Sequence, residues 1–296
     1  MISSAAQGKP NISIRFIRVS QYFDSEKLFV DQHLSVETYY RLIIPEIMPD
    51  YHKILYLDCD MVANCDVAEL YDIDLGGSIL GAAKDIDVAG QMNLGRNNWK
   101  EYASGTVGLG NPYGYFQAGV LILDLNRLRN TASSEEMIRI ALARRWRCHD
   151  QDVLNHICKG QIKYVSQEWN VLMDWQEPGR SRMEILKMAP RMLYEEYVDA
   201  RKAPKMVHYA GYQKPWDVVD CDMAEYFWEY AKLSPYYPRL LRGIKRCLAE
   251  EDGGIATGIE KLEQDAGIRR IANRLLPFGS RRRELLKNLY FRKNRN

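Results

Sequence analysis

The chain has 296 residues, with 41 Lys and Arg against 39 Asp and Glu and 19 tyrosines. That length and an ordinary apolar fraction fit one large folded domain with an appendage and exclude general disorder. Cys59, Cys65, Cys148, Cys158, Cys221 and Cys247 lack both a Cys-x-x-Cys pair and a Cys/His ligand spacing, so neither a zinc centre nor a disulfide framework is indicated. A reducing, cytoplasmic setting fits. No signal-peptide pattern and no apolar run long enough to cross a bilayer stands in the sequence, so secretion and membrane spanning are not expected.

The opening Met1–Gln7 reads as the end of a helix, followed by a turn at Gly8–Asn11 and an alternating strand over Ile12–Val19. Ser35–Ile47 carries apolar or aromatic residues at Tyr39, Tyr40, Leu42, Ile43 and Ile44, a helix that stops near Pro49. Next comes the most informative stretch, Ile54-Leu55-Tyr56-Leu57-Asp58-Cys59-Asp60-Met61-Val62. An apolar strand delivers two carboxylates, two residues apart and so on one side, to its carboxyl end, where hard oxygen ligands can share a divalent cation. On these residues alone, capping of a turn or helix stays open as the alternative.

Ile79–Lys84 is a further short apolar run. The Gly/Asn-rich stretch from Gly90 to Gly114 reads as a loop. Tyr115–Leu125 reads as a buried strand whose start, Gln117-Ala118-Gly119, sets two small residues where a ligand can approach the backbone; packing against a neighbouring helix explains them equally well. A helix is expected over Ser133–Arg147, then His149-Asp150-Gln151-Asp152-Val153-Leu154-Asn155 crowds polar side chains at a helix start. Capping accounts for one of its acids and leaves Gln151 and Asn155 without roles. A strand at Ile162–Val165 and a mixed loop region from Asp174 to Ala203 follow. The short strand Met206–Tyr209 then leads into Gly211, Lys214 and Trp216. A lone histidine after a strand is commonly structural, whereas His208 with a glycine turn and a cation beside it can bind metal while the loop holds phosphate. Strands alternating with helices predict an α/β fold with a largely parallel, doubly wound sheet.

Near Glu250–Gly258 the composition changes, which divides the chain into a body, residues 1–250, and a linker with a basic tail, residues 251–296. From Arg269 to Asn296 ten Lys or Arg face one acid, Glu284, so the tail carries +9 while the whole chain carries only +2. Leu275, Leu276, Phe278, Leu285, Leu286, Leu289, Tyr290 and Phe291 interleave with those cations. The pattern suits amphipathic helices on an anionic membrane surface, which we prefer to a bare basic helix end or a nucleic-acid contact.

The four polar clusters, in this order, resemble glycosyltransferase family 8: the Asp-x-Asp within Tyr56–Val62, Tyr115–Leu123 for the family's Asn-Ala-Gly-Val strand, His149–Asn155 for its Asp-Gln-Asp segment, and His208–Trp216 for its His-Tyr-x-Gly-x-x-Lys-Pro-Trp loop. The likeness runs from about residue 12 to residue 230. It implies a GT-A fold, a UDP-sugar donor, Mn²⁺ or Mg²⁺, and retention at the anomeric carbon, as in bacterial lipopolysaccharide galactosyl- and glucosyltransferases and glycogenin. Carried onto this sequence, the resemblance makes Asp58, Asp60 and His208 the metal ligands. It gives Gly211 and Lys214 to the diphosphate, and Arg41, Cys59, Asp85, Gln117, Ala118 and Gly119 to the donor. Asp150 and Gln151 fall beside the anomeric carbon.

Two departures stand out. Gln117 replaces the asparagine of the commonest family pattern, and the chain reads as starting after the first strand and helix that hold the nucleotide in family members, as a late gene start, a fragment or natural degeneracy would each produce. The implied activity is transfer of glucose or galactose from UDP-glucose or UDP-galactose to a glycan or lipid-linked acceptor at the inner face of the cell membrane, without nucleic acid as partner. The rival readings are a truncated, non-catalytic GT-A binding module, favoured by the missing unit, and a nucleotide-sugar hydrolase, disfavoured by the tail.

Overall fold

The structure is a computed structural model describing residues 12–19, 22, 36–177 and 180–251. Nine short strands are described: β1 (Lys53–Leu57), β2 (Met61–Ala63), β3 (Leu80–Ala82), β4 (Val120–Asp124), β5 (Ile162–Tyr164), β6 (Val171–Leu172), β7 (Gln176–Glu177), β8 (Arg180–Ser181) and β9 (Met206–His208). They form a four-stranded sheet in the order β1-β4-β3-β5, a three-stranded sheet in the order β2-β9-β6, and a β7-β8 ribbon. Helices Ser134–Leu142 and His149–Cys158 contact the 3-10 helix Val36–Ile43, and helix Arg182–Leu186 packs on helix Ile86–Asn93.

The continuous apolar run of β4 reflects burial on both faces. Leu121 and Leu123 face one hydrophobic cluster, with Tyr39, Leu42, Val153 and Leu154. Val120 and Ile122 face another, with Leu70, Trp169 and Met206. This is the alternation a strand imposes. The run ends where it does because Asp124 accepts a hydrogen bond from the Arg127 backbone N–H and caps helix Leu125–Thr131.

The expected α/β class holds, but the sheet is mixed rather than largely parallel. β4 lies antiparallel between β1 and β3, while β3–β5 and β6–β9 are parallel pairs. An antiparallel neighbour brings its beginning to the end of the strand it pairs with. Leu57 therefore faces Val120, and the Asp58 N–H donates to Gly119 O at 2.8 Å. The two acids after β1 and the Gln-Ala-Gly segment before β4, 59 residues apart from Asp58 to Gln117, meet for that reason.

Three further expectations are corrected. Residues 12–19 carry no strand. Within Gly90–Gly114, expected as loop, the helix Ile86–Asn93 continues and helical turns cover Arg96–Thr106, because Trp99, Ala103 and Val107 supply buried apolar residues at helical spacing. Within Asp174–Ala203 two helices form, Arg182–Leu186 and Arg191–Ala200. The first opens with a capping box between Ser181 and Glu184, a start signal short enough to pass unread. The readings at Met1–Gln7 and in the basic tail lie outside the described residues, as does most of the Glu250–Gly258 boundary, which the helix Tyr237–Glu251 enters. No described helix is long and apolar enough to cross a membrane.

Candidate active site

The site forms where the chain leaves the larger sheet and enters the smaller one. Asp58 follows β1 and Asp60 precedes β2, with Cys59 exposed between them. β2 pairs with β9 so that Met61 is opposite His208, and the Tyr209 N–H donates to Asp60 O at 2.9 Å. That register carries the imidazole across 148 residues of sequence to the two carboxylates. His208 Nε2 lies 3.3 Å from Asp60 Oδ1 and 3.8 Å from Asp58 Oδ2. Potential ligand atoms of Asp58, Asp60 and His208 all fall within 4.8 Å of one another, two oxygens and one nitrogen that suit a divalent cation of intermediate hardness.

Gly119 sits directly against this cluster. A Cβ built on it would meet Asp58 Oδ2 at 2.9 Å and Gln117 Oε1 at 2.8 Å, and would collide with the His208 ring. Any side chain there would push the three groups apart, so the glycine is required by close approach rather than by an unusual backbone angle.

Charge at the cluster is balanced by two cations. Arg41, on the 3-10 helix Val36–Ile43, reaches Asp58 Oδ1 at 2.9 Å through Nη2, Ala118 O at 2.5 Å through Nη1 and Asp150 Oδ2 at 2.8 Å through Nε. Its guanidinium lies 4.4 Å from the centre of the Tyr56 ring, whose hydroxyl donates to Asp58 Oδ1 at 2.8 Å. Burial opposes the charge on Arg41, but Asp150 and Asp58 outweigh it and raise its pKa. Lys214 Nζ pairs with Asp60 Oδ2 and donates to Tyr209 O at 2.6 Å. Burial pushes the Asp60 carboxyl up, yet His208 and Lys214 prevail and hold it well below the usual carboxylate range. Gly211, at φ 106°, makes the turn between His208 and Lys214 in a conformation that favours glycine.

On the other flank of Ala118 stands Gln151. Its Oε1 accepts from the Ala118 N–H at 2.8 Å and its Nε2 donates to Asp85 Oδ2 at 2.9 Å. Asp85 caps helix Ile86–Asn93 through the Val88 N–H. Burial first, then the neighbouring Asp87, raises the Asp85 pKa to about 6. Asp150, buried beside Gln151 at the start of helix His149–Cys158, accepts a hydrogen bond from Thr38 Oγ1 as well as facing Arg41, and burial raises its pKa too. The turn into that helix passes through His149 at φ 48°, a left-handed conformation that non-glycine residues seldom adopt.

The structure thus brings Asp58, Asp60, His208, Arg41, Lys214, Gln117, Ala118, Gly119, Gln151, Asp150 and Asp85 into one continuous network. Cys59 stays outside it, exposed between the two acids. Two polar residues of the helix start do structural work. Asp152 accepts from Tyr115 Oη at 2.5 Å, Tyr102 Oη at 2.6 Å and the Cys148 N–H at 2.8 Å. Asn155 brackets the Phe116 backbone, accepting from its N–H and donating to its C=O, both at 2.9 Å, and so fixes the segment that enters β4. Sequence reasoning missed Tyr56, Thr38 and Asn170. Asn170 Oδ1 lies 2.9 Å from His208 Nδ1, and only the β6–β9 pairing, Leu172 opposite His208, brings it there.

Residues 4–219 match the glycosyl transferase family 8 model. A lipopolysaccharide 1,2-glucosyltransferase of Escherichia coli strain K12 is 25% identical over 181 residues, 60% of this chain and 48% of that protein. The apo structure of the bifunctional glycosyltransferase WbbM superposes with a TM-score of 0.67 at 28% identity, covering 81% of this chain and 42% of that one. An active-site glutamine-to-glutamate mutant of LgtC superposes at 0.58, with 28% identity and 75% and 77% coverage. The galactosyltransferase LgtC with donor and acceptor sugar analogues gives 0.54, at 28% identity and 72% and 74% coverage. This chain thus spans less than half the length of the E. coli relative and of WbbM. Its fold is of the GT-A type, and with a family model matching most of its length, the chain belongs to glycosyltransferase family 8.

Proposed function

We propose that this chain transfers a hexose, glucose or galactose, from a UDP-sugar to a glycan or lipid-linked acceptor in cell-surface polysaccharide or lipopolysaccharide synthesis, with retention at the anomeric carbon. The observation that carries the reading is the bracketing of Ala118-Gly119: the Asp58–Asp60–His208 cluster lies on one side and the Gln151–Asp85 pair on the other. A nucleotide sugar has the same two halves, an anionic diphosphate and a neutral sugar rich in hydroxyls. The LgtC complex with sugar analogues and the E. coli glucosyltransferase support a hexose donor.

In this reading Asp58, Asp60 and His208 hold a divalent cation, Mn²⁺ or Mg²⁺, which when bound supplies neutralising charge to the diphosphate. Lys214 gives up its contact with Asp60 to a phosphate oxygen, and Gly211 lets the loop backbone come close to it. Asp85 accepts hydrogen bonds from sugar hydroxyls. The anomeric carbon–oxygen bond breaks as the acceptor hydroxyl attacks from the same face. The acceptor's proton passes to the departing diphosphate oxygen, and the new glycosidic bond keeps the original configuration. The side chain of Gln151, held at both ends, presents a fixed amide dipole to the positive charge that develops on the ring, without being basic enough to capture it. Asp150 works through Arg41, whose guanidinium it orients against Asp58. The basic tail, residues 251–296, serves as a membrane-surface tether that keeps the protein peripheral at the inner face of the cell membrane.

Three outcomes are expected. Asp60→Asn should lower Mn²⁺-dependent UDP affinity by at least about tenfold, since even partners one step removed from a metal cost 10–100-fold. Calorimetry with equal affinities in mutant and parent would remove Asp60 from the metal site, and a parent that binds UDP but transfers no hexose to any glycan acceptor would favour a binding module. With metal saturating, kcat/KM for the donor should fall below pH about 6 as Asp85 takes up its proton and ceases to accept from a hydroxyl. Asp85→Asn, slower throughout, should lack that acid limb; an unchanged limb would assign it to another group. Each basic side chain near an anionic surface contributes about 1 kcal/mol, so deleting residues 251–296 should abolish sedimentation with anionic vesicles at moderate salt while leaving transfer to a soluble acceptor. Equal pelleting of both proteins would deny the tail its role.

A further inference from the structure

Gln117 stands within the site yet has no assigned role beyond lying near the donor, and its side chain folds back on the protein. The Gly119 backbone N–H donates to Gln117 Oε1 at 2.6 Å. A backbone N–H can only donate, so the atom facing it is the carbonyl oxygen and the orientation of this amide is determined. The same Oε1 lies 2.6 Å from Asn170 Nδ2, which must then be the donor of that second bond. With its nitrogen committed to Gln117, Asn170 turns its Oδ1 toward His208 Nδ1 at 2.9 Å. An oxygen there requires a hydrogen on Nδ1. In the neutral ring the lone pair is left on Nε2, the nitrogen that faces Asp60 at 3.3 Å and Asp58 at 3.8 Å.

We propose that Gln117 is a positioning residue that acts through Asn170 to fix the tautomer and ring orientation of His208, so that Nε2 is the atom offered to a divalent cation. The relay starts from a backbone group that cannot reverse its polarity, and each following group has one orientation compatible with the one before it. His208 and Asn170 are both 2% exposed, so water does not compete for the polar atoms between them. The relay also gives the glutamine a reason to be there. It bonds the N–H of Gly119 just before β4 and Asn170 just before β6, and so links the entries of the two sheets at the ligand that β9 supplies.

This inference rests on the proposed metal site, and its test separates the two. The full chain, labelled with ¹⁵N-histidine, has five histidines, so the ring signals of His208 are assignable by comparison with His208→Gln. At a pH where the ring is neutral, long-range ¹H–¹⁵N spectra of the metal-free protein should show a protonated Nδ1 and an unprotonated Nε2. Gln117→Met keeps the length of the side chain and removes the acceptor, freeing Asn170 to turn over. His208 should then populate the opposite tautomer, and Mn²⁺ affinity, read from the paramagnetic resonance of free Mn²⁺, should fall 10–100-fold. Gln117→Glu retains an acceptor for both donors and should restore the parent tautomer. A parent with hydrogen on Nε2, or a Gln117→Met variant with parent tautomer and parent Mn²⁺ affinity, overturns the relay. A parent with the expected tautomer that moves in Gln117→Met, but with no Mn²⁺ bound, upholds the relay and overturns the metal site instead.

Discussion

Four carboxylates, Asp58, Asp60, Asp85 and Asp150, crowd around the meeting point of β1 and β4, and the arrangement of cations among them is the constraint on which the rest depends. Like charges this close in a partly buried site repel strongly unless each has a counter-charge or a proton. Arg41 serves Asp58 and Asp150 together, Lys214 serves Asp60, and Asp85 accepts hydrogen bonds from the Val88 N–H and Gln151 Nε2. Each solution differs in kind. The guanidinium is a planar fork, buried against the Tyr56 ring, whereas the Lys214 ammonium sits on a glycine-turned loop and bonds Asp60 and Tyr209 O.

The topology exists to make that crowding possible. Sequence-distant acids, amide and imidazole meet because β4 runs antiparallel to β1 in the larger sheet and because β2 pairs with β9 in the smaller one. A parallel β4 would have sent Gln117-Ala118-Gly119 to the opposite end of the sheet from Asp58. The mixed pairing is therefore what assembles the cluster. The bonds from Asn155 to the Phe116 backbone, and from Gln151 to the Ala118 N–H, secure the same segment from the helix side.

Much of this was legible in the residues and some was not. The apolar run into Asp58 and Asp60, the paired small residues before Val120, and the His208–Lys214 loop each carried a chemical reason for their composition. The structure gathers those three into one place. Strand direction was not legible, because a short run buried on both faces looks the same in a parallel or an antiparallel sheet. The helix Arg191–Ala200 was hidden by a polar outer face, and Asn170 by the absence of any local pattern: its role depends on the register between β6 and β9, which no neighbouring residue encodes. Asp150 illustrates a third limit. The helix start left it as a candidate cap and the family resemblance set it beside the anomeric carbon, but only the fold connects it to Arg41 and Thr38.

The central claim is that Gln151 acts on the reacting carbon while the Asp58–Asp60–His208 cluster serves the diphosphate. The most direct measurement is a comparison of Gln151→Ala with the parent, in kcat for hexose transfer and in the dissociation constant for the Mn²⁺–UDP pair. The account predicts a kcat lower by about 10²–10³-fold with UDP affinity within about twofold of the parent, because an interaction made in the transition state leaves ground-state binding of the leaving group untouched. A variant that keeps its kcat and loses UDP affinity would contradict the account and move Gln151 to the nucleotide side of the site.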